Sequence, residues 1–241
     1  MVGFLVALQF LTRLPSPIKH TITVEEMGRS TVWFPVVGLL IGALLAVADL
    51  LSRLLFPPSL SDALLVALLV VLTGALHLDG LMDTCDGVFS FKSPERRLEI
   101  MRDSRVGAFG VVGAALVILL KYAALGAVPV EHRPLVLPAV LALSRWTMVY
   151  ALATFPYARD RGVGRLYKDH VGRRELRWAS VAALAIAGAL LGPVGLVAAG
   201  TAWAVAWIGA RYITSKIPGL TGDSYGAINE MAEVFLLALV P

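Results

Sequence analysis

Seven stretches of this chain are apolar over a length that suggests passage through a bilayer: 32–51, 62–78, 106–126, 135–155, 178–191, 194–213 and 227–240. A helix needs roughly 17–25 such residues to cross about 30 Å of hydrocarbon. The fifth and seventh stretches are short, so the pattern predicts about seven transmembrane helices, with six to eight compatible. Leu191-Gly192-Pro193-Val194-Gly195 interrupts a longer apolar run and predicts a tight helical hairpin. Residues 1–13 are too few to cross at about 1.5 Å per residue and predict an N-terminal interfacial or half-inserted helix. No internal repeat, low-complexity tract or linker divides the pattern, so residues 1–241 read as a single membrane-embedded domain.

Composition supports this reading. The AVILMFWYC set makes up 58% of the residues and charged residues only 16%, against about 25% in soluble domains. With a mean hydropathy of +0.78, a water-soluble globule and a disordered chain are excluded, leaving an all-α polytopic membrane bundle in contact with lipid. A net charge of +4 could point to nucleic acid, but the basic residues follow topology instead. If residues 13–29, 92–105, 159–177 and 211–216 face the cytoplasm, 17 of the 21 lysines and arginines lie inside, Lys19 among them. No nucleic-acid partner is therefore expected, and the polar motifs fall on the cytoplasmic face of a bacterial or archaeal cytoplasmic membrane. Arg13 follows the apolar start rather than preceding it, the reverse of a secretory leader. Cys85 is alone, which excludes an intramolecular disulfide framework and a four-cysteine zinc site.

The densest chemistry lies in His77-Leu78-Asp79-Gly80-Leu81-Met82-Asp83-Thr84-Cys85-Asp86-Gly87. At about 100° per residue, Asp79, Asp83 and Asp86 fall within roughly 60° of one helix face. Neighbouring carboxylates about 6 Å apart would repel by about 3 kcal/mol at an effective dielectric near 20. No basic residue lies between Asp79 and Lys92, so something positive must come from elsewhere. A solvated helix end explains one acid well but three on one face poorly. Hard oxygen ligands suit Mg²⁺ or Mn²⁺, one ion or two, which keep positions open for phosphate. His77 beside them is a candidate proton carrier.

Further polar groups follow. Ser93, Pro94 and Glu95 mark a helix start, after which Arg102 and Arg105 flank Asp103, with Gly107 and Gly110 next. Gly219, Gly222 and Gly226, with Thr221, Asp223 and Tyr225 between them, form a loop that enters a helix and can face an anion. Arg145, Glu230 and Glu233 lie within apolar runs, where charge is expensive and marks function. Lys121 reads as snorkelling to the outer interface and Asp49 as interfacial. The intramembrane charges also admit an alternative, a transporter or channel, although the halves expected of many transporters are absent.

These blocks resemble the cobalamin synthase family, the adenosylcobinamide-GDP ribazoletransferases. The likeness covers almost the whole chain: residues 7–15, 34–38, 77–87, 100–110, 155–159 and 221–227. Cys85 stands where alanine is usual and Arg102 where lysine is common, both compatible with the same roles. The resemblance implies a Mg²⁺-dependent phosphotransferase of the final assembly of vitamin B12. The phosphoryl group of adenosylcobinamide-GDP passes to the 3′-hydroxyl of α-ribazole or α-ribazole 5′-phosphate, and GMP leaves. On this reading Asp79, Asp83, Asp86 and Asp103 are the expected metal ligands, and Asp103 and His77 the expected acid–base residues. Arg102, Arg105, Gly107, Arg145, Arg159, Thr221, Gly222, Asp223, Tyr225 and Glu230 are expected to bind substrate. The corrinoid is expected over Phe109 and Tyr157, and homo-oligomerisation stays open.

Overall fold

The computed structural model describes residues 2–18 and 20–239. Lys19 and Val240, the end of the seventh apolar run, lie outside them. The described residues form twelve α-helices and no strand. In order these are α1 (Val2–Leu11), α2 (Val24–Ser30), α3 (Phe34–Ser52), α4 (Pro58–Thr73), α5 (Leu76–Val88) and α6 (Pro94–Ile100). They continue with α7 (Ala108–Ala127), α8 (Arg133–Thr154), α9 (Val163–His170), α10 (Arg173–Leu191), α11 (Val194–Thr214) and α12 (Gly222–Leu239).

Each of the seven apolar runs maps onto helix, but fewer than seven helices are long and apolar enough to cross alone. Four qualify: the continuous stretch Val24–Ser52 ending in α3, then α7, α8 and α11. The pair α4 and α5 makes a fifth only if counted as one span, and it is bent by 89°. Charge is what removes the other two: α10 opens with Arg173, Arg174, Glu175 and Arg177, and α12 carries Asp223, Glu230 and Glu233. The ten-residue α1 is short, as expected, and buries Val6, Ala7 and Leu11.

Helix α8 is the central post, buried along most of its length. Lipid tails offer helices no hydrophobic reason to associate, so close contact between small residues takes over. A Cβ on Gly38 of α3 would lie 2.1 Å from Leu141 O, and one on Gly42 would lie 2.4 Å from Pro138 Cα. The predicted hairpin forms at Gly192, whose φ of +56° suits glycine, and buried alanines at four-residue spacing follow on both arms. These are Ala179, Ala183 and Ala187 on α10, and Ala198, Ala202, Ala206 and Ala210 on α11.

Two left-handed residues, Gly74 and Ala75, end α4 and turn the chain into α5. Helix α5 therefore leaves the direction of the span and lies across the N-terminal ends of α7 and α12. Gly80 permits the approach, since a Cβ there would meet Asp223 O at 2.7 Å, and Gly226 does the same beneath His77.

The opposite end of the bundle is closed by charge. Arg133 is 2% exposed and bonds Asp62 at 2.5 Å and Asp49 at 3.1 Å, while Arg53 bonds both carboxylates at 2.8 Å. Asp49 is thus a buried member of a neutral quartet rather than an interfacial acid. Lys121 does not snorkel either. It is 4% exposed and bonds Glu230 at 2.7 Å and also Glu233. An ammonium held between two carboxylates avoids both the hydrocarbon and the trip to the interface.

Candidate active site

Two segments far apart in sequence are joined beneath α5. The Leu220 N–H donates to Pro156 O and the Ala158 N–H donates to Leu220 O, both at 2.8 Å. Gly219 makes this pairing feasible, because a Cβ there would lie 2.7 Å from the Tyr157 carbonyl carbon. The pairing delivers Arg159 to the start of α12, where it bonds Asp223 at 3.0 Å and donates to Met101 O at 3.2 Å. Thr221 caps α12, its hydroxyl accepting the Ser224 N–H at 3.3 Å. Tyr157 and Tyr225 stack with centroids 6.4 Å apart.

Asp79 and Asp83 face this group from α5, the first exposed and the second half-buried. Burial, reinforced by the carboxylates of Asp223 and Asp79, pushes Asp83 up to about 7, and Arg159 opposes the shift. Burial also raises Asp223, again against Arg159. The positive group that the carboxylate spacing demanded is Arg159, more than seventy residues downstream. Asp223 entered the sequence argument as part of a glycine loop; here it belongs to the carboxylate group.

The donors suit a divalent cation. They are hard carboxylate oxygens, and the crowding that drives Asp83 to hold a proton is what a cation would relieve. Among the described residues, no three His, Cys, Asp or Glu side chains converge closely enough to hold an ion in this geometry.

Several expected site residues lie elsewhere. Asp86 shares the helical face with Asp79 and Asp83, but the start of α7 covers that end of it. Its buried carboxylate accepts the Gly107 N–H at 2.7 Å and the Gly110 N–H at 2.8 Å. Asp86 therefore caps α7 from another helix, satisfying amides that have no intrahelical acceptor. Gly107 serves that contact rather than a ligand, since a Cβ on it would meet Asp86 Oδ1 at 2.4 Å.

Asp103 lies in the loop between α6 and α7, bonded to Arg105 Nη2 at 2.7 Å and to its backbone N–H at 3.0 Å. Those bonds hold it down to about 2, which makes it a poor proton acceptor. The two side chains thus pair locally in the loop, with Arg105 largely exposed. Arg102 is exposed, and its charge reaches Tyr157, so it borders the site.

Arg145 is fully buried, donating to Ser144 Oγ at 2.9 Å and to Glu233. Glu230 is held by Lys121. Both expected substrate-binding residues are thus joined in an internal ion-pair network, with Asn229 bonding Glu233 at 3.0 Å. His77 lies beside this network, buried, with neither ring nitrogen hydrogen-bonded. Opposite charges inside two apolar runs were the available signal for the Lys121–Glu233 pair, although nothing local says which partners meet.

The family model described as cobalamin-5-phosphate synthase matches residues 3–240. A protein of Roseiflexus sp. (strain RS-1) named adenosylcobinamide-GDP ribazoletransferase is 43% identical over 96% of this chain and 86% of its own length. Proteins of the same name from Desulfitobacterium hafniense (strain Y51) and Ectopseudomonas mendocina (strain ymp) are 40% and 43% identical, covering 98% and 99% of this chain. They are covered over 95% and 98% of their own lengths. No solved structure matches the chain.

Proposed function

Because the chain belongs to the cobalamin-5-phosphate synthase family, we propose that it is the transferase that joins adenosylcobinamide-GDP to α-ribazole or α-ribazole 5′-phosphate, releasing GMP. The observation that carries the site assignment is the meeting of Asp79, Asp83, Asp223 and Arg159 at one opening. A diphosphate cannot approach three carboxylates unaided. Asp79 and Asp83 would hold Mg²⁺ or Mn²⁺, which supplies neutralisation of the diphosphate and polarisation of the attacked phosphorus when bound.

The remaining work falls to the chain. Arg159, already anchored on Asp223 and Met101 O, clamps phosphoryl oxygens. The first turn of α12, from Gly222, offers amides without helical acceptors to the same anion. Asp223 orients the 3′-hydroxyl and accepts its proton as the new O–P bond forms and the P–O bond to GMP breaks. Arg102 at the rim steers the anionic substrate.

Phe89, Phe109 and Tyr212 form an exposed ring chain, with centroids 5.9 and 6.3 Å apart, that suits a broad flat corrinoid. The site faces the cytoplasm of a cytoplasmic membrane, because the starts of α7 and α12 and the basic loops share one end of the bundle. The transporter alternative finds no support: Lys121, Arg145, Glu230 and Glu233 neutralise one another, and the relatives above are transferases.

The test is GMP release from adenosylcobinamide-GDP and α-ribazole by the protein in nanodiscs, with and without Mg²⁺. Asp83→Asn should lower turnover by about 10²-fold or more while leaving the protein folded. Full turnover by that variant, or unchanged turnover in a chelator, overturns the assignment.

A further inference from the structure

Behind Asp79 and Asp223 lies a cavity of about 190 Å³. Beyond the residues of α5 and α12, its wall comes from helices that the carboxylate motif does not reach: Phe10 of α1, Phe34 of α3, Met148 and Leu152 of α8, and Tyr167 of α9. We propose that this cavity receives the aromatic base of the nucleoside acceptor, leaving its ribose at the carboxylates. The proposal rests on the transferase reading and adds to it the place and the chemistry of acceptor recognition.

Three observations support it. The first is size: the cavity is smaller than the roughly 300–1,000 Å³ of pockets for drug-sized ligands, so it suits one bicyclic ring and neither a corrin nor a whole nucleotide. The second is the wall. Phe10 and Tyr167 lie 4.8 Å apart between centroids, Phe34 and Tyr167 6.1 Å, and Met148 and Leu152 are buried aliphatic neighbours. A guanine would lose several hydrogen bonds there, whereas the dimethylated benzimidazole of ribazole has one bare ring nitrogen and two methyl groups to bury.

The third is an unmet need. His77 and Tyr225 also line the cavity, both are buried, and neither ring nitrogen of His77 nor the Tyr225 hydroxyl has a partner. Buried polar atoms without partners are uncommon in folded proteins and call for a ligand or an ordered water. Either group can donate to the bare nitrogen of the base. Because Asp79, Gly222 and Asp223 border the same cavity, a base seated in it places the ribose beside the group assigned to accept the 3′-hydroxyl proton.

The experiment uses the full chain in nanodiscs and measures steady-state KM for α-ribazole and for adenosylcobinamide-GDP, with equilibrium dialysis of α-ribazole alone as a second readout. Met148→Trp, which fills the cavity, should raise the KM and the dissociation constant for α-ribazole about tenfold or more and leave the KM for adenosylcobinamide-GDP unchanged. Met148→Ala, which enlarges it, should shift kcat/KM toward nucleosides with bulkier bases. A thermal melt verifies that each variant is folded, and if Met148→Trp is not, Met148→Ala decides alone. Normal turnover with unaltered acceptor constants and base preference in the folded variants overturns the cavity assignment and leaves the transferase reading intact. Absence of turnover by the unaltered protein with either acceptor overturns both.

Discussion

Replacing Asp86 separates two roles that the same carboxylate could serve. In the structure its two oxygens accept amides of Gly107 and Gly110 at 2.7 and 2.8 Å, and the residue is 9% exposed. Hydrogen bonds to a charged group contribute roughly 1.5–3 kcal/mol each, and a carboxylate at a helix N-terminus adds about 0.3–1 kcal/mol, against which stands the cost of burying the charge. Asp86→Ala should therefore destabilise the protein by about 2–4 kcal/mol. Asp86→Asn keeps one acceptor but turns an NH₂ toward the second amide, and about half that loss is expected. The assay is denaturant unfolding in detergent micelles, paired with Mn²⁺ binding by the folded fraction. A stable Asp86→Asn protein that no longer binds Mn²⁺ would refute this account and return Asp86 to the metal site.

Other outcomes follow from the same contacts. Gly110→Ala should cost about 1–3 kcal/mol, since its Cβ would meet Asp86 Oδ2 at 2.5 Å and Met82 O at 3.0 Å; an unchanged melting temperature would contradict this packing. Glu233→Ala leaves the fully buried Arg145 without its carboxylate and should cost about 3–5 kcal/mol, whereas joint replacement by Arg145→Met and Glu233→Met should restore much of the loss. Unfolding measurements on the single and double variants check the difference. Metal affinity should depend on pH. Asp83 is pushed up to about 7, above the unfolded carboxylate range, so below that pH a cation must displace a proton from the folded protein. Apparent Mg²⁺ affinity should climb by about tenfold per pH unit or less up to roughly pH 7 and then level off, as calorimetry across pH would show.

The amino-acid sequence alone determined the helical class and the membrane setting, and it singled out Asp79 and Asp83 as candidate site residues. These are properties of local periodicity and of solvent: a run of apolar residues has few alternatives to a helix in lipid, and basic residues sort to one side. The hairpin at Gly192 and the helix start at Ser93 and Pro94 were equally legible, because caps and turns are written in adjacent residues. Tertiary structure decided what local spacing cannot. Asp86 has the same helical phase as Asp79, yet α7 crosses only its end of α5. Arg159 supplies the missing positive charge because the residue pairs around Tyr157 and Leu220 happen to bond. Arg145, Glu230 and Glu233 each look like functional charges on their own and Lys121 like a snorkelling one, and all become mutual counter-ions once α7, α8 and α12 pack. Which carboxylate binds a ligand and which one holds the protein together depends on what the fold sets opposite it, because a buried charge is settled by its nearest partner across space rather than along the chain.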